Sequence, residues 1–259
     1  MIKKYGSLFG LSLGIFSIFG SFLLEGGSLK ALFLIAPIFI VFGGTFAATI
    51  ISVGLENFSK IFLLIRKAYF PSRYNLKKLI TDFFTLSIKA RKDGILSVEK
   101  DIENISYMFP RKLVRFVIDG ADYESIENMA LLEMKSSEAR HYENANIFNK
   151  MGGYAPTMGI LGTVMSLIIT LANAGSDPEL LIKNIATAFI ATLWGVLSAN
   201  LFWLPISDRL KKCHQEEKNM MELSLEGTLA LQNGEIPSVL KARMISMLPQ
   251  KEQAALLGS

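Results

Sequence analysis

Residues 154–171 read YAPTMGILGTVMSLIITL. The run is apolar enough for a bilayer, yet it carries Pro156, Gly159, Gly162 and the hydroxyls of Thr163, Ser166 and Thr170. Proline donates no backbone hydrogen bond, and lipid tolerates it only where a neighbour or water satisfies the freed carbonyl. Gly159, Thr163 and Ser166 fall at the spacing that lets another helix backbone approach closely. Thr163, Ser166 and Thr170 follow i, i+3, i+7, which sets three hydroxyls along one face. Two readings of that face stand: a packing surface whose hydroxyls bond back to their own helix, or a wet surface that meets an ion.

Composition points the same way. The chain has 259 residues, of which 51% are hydrophobic, 18 are Phe and 19% are charged. A soluble domain of this size carries nearer a quarter charged residues. The formal net charge is only +4, so its distribution matters more than its sum. A single cysteine, Cys213, excludes a disulfide framework, and its basic surroundings read as a cytosolic free thiol. His141 and His214 lie far from metal-ligand spacing, so no metal or cofactor is expected.

Working towards the N-terminus, Lys3 and Lys4 precede an apolar run from Leu8 to Leu24. The opening resembles a signal peptide, but no A-x-A-like site follows and a second run, Ala31 to Leu55, comes at once. Two runs of about 20 residues joined by a short turn at Glu25–Ser28 predict a helical hairpin. The polar stretch from Glu56 opens with Lys60, Arg66, Lys67, Arg73, Lys77 and Lys78, which the positive-inside rule places in the cytoplasm. Its apolar spacing is helical: Leu76, Leu79, Ile80 and Phe83 share a stripe, and 97–107 and 113–118 read alike. Asp93-Gly94 is a turn, and Pro110 begins a new helix. Tyr123 to Lys150 lacks Pro and Gly and leads almost directly into the third span, about 153–172.

A loop with Gly175, Asp177 and Pro178 but no basic residue suits the outer face. The fourth span runs from about Asn184 to Ile206, with Ala188, Thr192, Gly195 and Ala199 as a second small-residue stripe. Arg209, Lys211 and Lys212 then mark the inside again, and residues 216–232 are amphipathic helix. The final Gly258-Ser259 has the composition of a cloning remnant.

The expected fold class is an all-α integral membrane protein: four transmembrane helices plus a helical cytoplasmic domain inserted between the second and third, both termini cytoplasmic. Residues 1–55 form the first transmembrane hairpin, 56–151 the cytoplasmic domain, 152–206 the second hairpin, and 207–259 an amphipathic helix and tail.

The interiors of all four apolar runs lack Asp, Glu, Lys, Arg and His. Intramembrane ionisable groups mark proton relays, so this chain carries no titrating relay by itself. It offers hydroxyls instead: Thr163, Ser166, Thr170, Thr187, Thr192 and Ser198. These can line a cavity or coordinate a cation but do not titrate near neutral pH. Either the chain is a passive scaffold or a partner helix supplies the carboxylate, and the two small-residue stripes are where that helix would pack. No nucleophile–base pair and no Gly-Lys-Ser/Thr phosphate loop is present, so an enzyme is not expected. A solute transporter would show an internal repeat, and none is evident.

Ala155-Pro156 with Gly159, Gly162 and Thr163, then Ala191-Thr192-Leu193-Trp194-Gly195, then Trp203-Leu204-Pro205-Ile206 before Asp208-Arg209-Leu210, occur in this order. In the polar loop, Ala90-Arg91 is followed by Gly94, Ser97, Glu99 and Asp101. In these motifs, over nearly its whole length, the chain resembles the MotA/PomA family, the large subunits of the bacterial flagellar motor stator. The resemblance implies a homo-oligomeric ring, pentameric in known members, in the inner membrane around the helices of a MotB/PomB partner. That partner's aspartate binds the proton or sodium ion; ion flow turns the ring, and its cytoplasmic domain pushes the rotor protein FliG. By motif position Arg91 and Glu99 are rotor-binding charges, and Pro156 and Pro205 are the gating prolines. Thr163 and Thr192 lie near the partner's aspartate, with Ser166 and Thr187 assigned to the same ion path. Threonine at both positions leans toward sodium, while protons are the commoner coupling ion. Membrane lipid is an expected partner and nucleic acid is not. The ExbB/TolQ type, an ion-driven energiser of envelope proteins, is the alternative. It has three spans with the N-terminus outside, which the N-terminal hairpin argues against.

Overall fold

The computed structural model describes residues 2–173 and 178–257. Gly175 and Asp177 of the expected outer loop, and the Gly258-Ser259 pair, lie outside the described residues. Among the described residues every regular element is helical. Four helices are long and apolar enough to cross a membrane. The chain forms two units, Met1–Ser72 with His141–Cys213, and Arg73–Arg140 with His214–Ser259.

In the first unit, α1 (Ile2–Leu24) supplies the first apolar span, Gly6–Leu24, with mean hydropathy 1.9 and none of it buried within the chain. Gly26, at φ +84°, turns the chain in a left-handed conformation that glycine adopts without steric cost. The second span starts later than the apolar run suggests. A single turn, α2 (Leu29–Leu32), is broken at Phe33-Leu34 before α3 (Ile35–Ile38), and the apolar span is Ile35–Val53. The break is used: the Trp194 indole donates to the Leu32 carbonyl at 2.7 Å, satisfying a helix-end acceptor in an apolar setting. A π-helical turn, Phe39–Gly43, leads into α4 (Gly44–Ser59), which is kinked at Gly54, at φ +79°. α5 (Ile61–Tyr69) is amphipathic and buries Ile61, Leu64 and Ala68.

The third span lies within α8 (Tyr123–Ala172), one helix of 50 residues. The fourth begins in α9 (Pro178–Ser198), passes through a π-helical turn at Ala199–Trp203, and continues into α10 (Leu204–Gln232). The Leu204 amide bonds back to Ala199, five residues away, so the wide turn sits directly before Pro205, whose missing N–H interrupts the ladder in any case. Trp194 and Trp203 pack tilted or edge-on against Phe19, Phe33, Phe42 and Phe46 at centroid distances of 5.3–6.5 Å. Lys150 donates to Ser52 at 2.6 Å, and Ser207 to the Ala145 carbonyl at 2.9 Å.

In the second unit α6 (Leu76–Asp93) is capped by Asn75, which accepts from the Lys78 amide at 3.1 Å. The helical periodicity over 97–107 predicts an α-helix, but the segment is 3-10 helix over Ile95–Asn104. It starts from the tight turn at Gly94 (φ +83°) and is tied down by Lys89–Asp101 at 2.6 Å and by Asp82, which accepts from Ser106 at 2.9 Å. α7 (Met108–Ile118) takes Pro110 in its first turn, where no N–H is required. The segment after α10 is also helical, with α11 (Pro237–Ser246) and α12 (Gln250–Leu257). Leu240, Met244 and Ile245 of α11 pack in one core with Leu79, Phe83, Val98, Ile102, Leu113 and Leu223.

Candidate functional site

Glycine sets the spacing of the third and fourth spans. A Cβ added at Gly159 would sit 2.9 Å from the Ala191 carbonyl oxygen, and one added at Gly195 would sit 2.8 Å from that of Ala155. Both obstacles are backbone, which cannot swing aside. The two small-residue stripes therefore meet each other within one chain at Gly159, Thr163, Thr192 and Gly195. Two stripes presented by consecutive antiparallel helices satisfy each other first, because the loop between them removes most of the cost of association.

At this contact the Thr163 and Thr192 hydroxyls lie 2.7 Å apart, both half-buried. Thr163 Oγ1 is also 3.0 Å from the Gly159 carbonyl and 3.3 Å from that of Ala188. Two hydroxyls share two hydrogens, so once one points at a carbonyl the other bridges the pair. The oxygens keep lone pairs, suited to a cation or to water. Pro156 lies at the same contact, its Cα 3.3 Å from the Cβ position of Gly195.

Other sequence-derived site residues are not drawn into this pair. Ser166 is half-buried, and its carbonyl accepts from Thr170 at 2.8 Å. Thr187 donates to the Lys183 carbonyl of its own helix at 2.9 Å. Pro205 is exposed and lines a cavity with Arg209. Sequence reasoning missed Thr45 and Thr49 on the second span, fully buried and bonded to Val41 and Thr45 carbonyls at 2.5 and 2.7 Å. Their i, i+4 spacing inside an apolar run was the available signal.

In the second unit Arg91 and Glu99 are exposed, and neither forms an ion pair among the described residues. Asp101, from the same motif, is spent on Lys89. Ser97 donates to the Gly94 carbonyl at 2.6 Å. These bonds hold the turn that separates the two unpaired charges. Asp122 caps α8 by accepting from the Ser125 amide at 2.9 Å, and hydrogen bonds from the Ser125 side chain and backbone hold its carboxyl below the usual range.

The chain matches the Motility protein A N-terminal family over residues 8–94 and the MotA/TolQ/ExbB proton channel family over residues 100–223. It is 31% identical to Motility protein A of Bacillus subtilis over 95% of this chain and 92% of that one. The chain belongs to the motility protein A family. A second relative, Motility protein A of Treponema phagedenis, is 32% identical over 94% of this chain and 95% of its own. The solved flagellar MotAB stator complex from Bacillus subtilis contains a chain that superposes with a TM-score of 0.90, at 30% identity, covering 96% of this chain and 98% of that one. As a member of the motility protein A family, the chain is a multi-pass membrane protein and a channel-type subunit, not an enzyme.

Proposed function

We propose that this chain is the large subunit of a flagellar motor stator and couples ion flow to torque. The observation that carries the reading is the half-buried Thr163–Thr192 hydroxyl pair in spans whose interiors hold no ionisable group. Such a site can pass or coordinate an ion but cannot trap its charge. A partner of the MotB/PomB type supplies the carboxylate, and the subunits form a ring, pentameric as in known members, around it. Thr163, Thr192, Ser166 and Thr187 border the ion path, Pro156 and Pro205 gate it, and sodium or the proton is the coupling ion.

The spans lie in the bacterial inner membrane among lipid, with both termini and the segment between the second and third spans in the cytoplasm. The second hairpin, 152–206, lines the path, and the domain around 56–151 faces the rotor. Arg91 and Glu99 touch FliG there, and the absence of an ion pair to either among the described residues supports that role. A match reaching through the N-terminal hairpin, residues 8–94, favours the flagellar motor over the ExbB/TolQ type.

Deletion of the gene tests the reading. Cells with normal filaments that do not turn, rescued by the intact gene, are expected. Unimpaired swimming in a strain with no second stator set overturns it.

A further inference from the structure

A cavity of about 430 Å³ opens in the first unit between the start of α1, the end of α5 and the start of α10. Its apolar wall includes Gly10, Ala68, Leu201 and Ile206. Gly10 faces open space: a Cβ there would meet nothing within 4 Å, whereas one at Gly14, a turn further on, would strike Leu201. The polar rim is Tyr69, Arg209 and Lys212, with Asp208 beside them. Asp208 is engaged by Lys211 at 3.2 Å. Arg209 gives its Nε, at 3.4 Å, to the Ala68 carbonyl. Among the described residues neither Arg209 nor Lys212 has an ion-pair partner. The Tyr69 phenol is a donor at neutral pH, and burial pushes it further above its ordinary value.

The cavity lies where the spans end. The first apolar span begins at Gly6, and Arg66, Lys67, Lys211 and Lys212 follow the second and fourth. That is headgroup depth, where a tyrosine with one polar tip is at home. Basic pockets between helices at this level receive anionic headgroups, and a guanidinium suits the two oxygens of a phosphodiester. We propose that this cavity is a binding site for one anionic phospholipid, whose phosphodiester meets Arg209, Lys212 and Tyr69 while acyl chain covers Gly10 and Leu201. The occupant is a lipid rather than a free phosphate because most of the wall is apolar and would gain nothing from an ion alone.

The test is a titration of the full-length chain in neutral detergent, followed by native mass spectrometry, with phosphatidylglycerol, phosphatidylcholine and glycerol phosphate as separate probes. Phosphatidylglycerol is expected to bind tightest, and glycerol phosphate not to displace it. Each cation near an anionic headgroup contributes about fivefold, so Arg209→Gln with Lys212→Gln should lower phosphatidylglycerol affinity roughly 25-fold and erase the preference over phosphatidylcholine. Gly10→Phe fills the cavity without changing charge and should weaken both lipids. Lys77→Gln removes an exposed cation of the second unit, away from the cavity, and should leave binding intact. The proposal is overturned if both lipids bind the intact chain equally, if Lys77→Gln costs as much as the double variant, or if glycerol phosphate competes fully. Circular dichroism confirms that each variant is folded, and the two charge variants decide the matter if Gly10→Phe is not.

Discussion

At Gly195 the nearest obstacle is a carbonyl oxygen of the opposite helix, at 2.8 Å from where a Cβ would stand. Gly195→Ala must part the two backbones, and overpacking of this kind costs about 1–3 kcal/mol. A lower thermal midpoint in detergent is the expected result, with Gly153→Ala, which meets nothing within 4 Å, as the unaffected comparison. Thr163→Ala removes one half of the hydroxyl pair while leaving the helix contact. If the pair borders the ion path, swimming speed will change its response to sodium or to pH, and an unchanged response reduces Thr163 to packing. Asp122 makes a pH prediction. Its carboxyl is held below the usual range by Ser125, so its contribution to stability is full above the ordinary carboxylate pKa and is lost as pH falls through the depressed one. Asp122→Ala should therefore speed amide exchange at the start of α8 at pH 7, with the difference from the intact chain shrinking only as pH falls below the ordinary carboxylate range.

Elements were readable from the sequence where one period dominates. The stripe in α6 and the uninterrupted helix formers before the third span both appear as expected, in Leu76–Asp93 and Tyr123–Ala172. Elements set by tertiary bonds were not readable. The break at Phe33-Leu34 depends on an indole 162 positions away in sequence, and the 3-10 segment depends on Lys89 and Asp82 reaching across to it. In the candidate site the hydroxyls and glycines could be named from spacing, but not that the two stripes would choose each other. The 3-10 segment yields a prediction at this scale. Asp101→Asn should speed amide exchange over 95–104 and reduce torque together, because it loosens the support under Glu99. Reversing the charge of Arg91 or Glu99 should reduce torque while leaving exchange alone. Swimming unaffected by both reversals removes the rotor assignment.

For the whole molecule, the decisive property is what the membrane segments omit. Moving an elementary charge through a membrane potential yields about 2.3 kcal/mol per 100 mV, and a chain with no ionisable group in its spans has nowhere to hold that charge midway. Purified chain in liposomes, without a partner, should pass essentially no protons or sodium, as read by a pH-sensitive dye or by sodium flux. Robust flux from the chain alone ends the partner hypothesis.

The glycine contact between the third and fourth spans has a further meaning for the cell that makes this protein. Helices that touch backbone to backbone leave no room for a file of water between them, so at Gly159 and Gly195 an ion passes beside the contact rather than through it. That route is closed before the subunit meets any partner. Surplus subunits waiting in the membrane would not run down the gradient that powers everything else, and synthesis of the two stator components need not be tightly matched for the cell to stay energised.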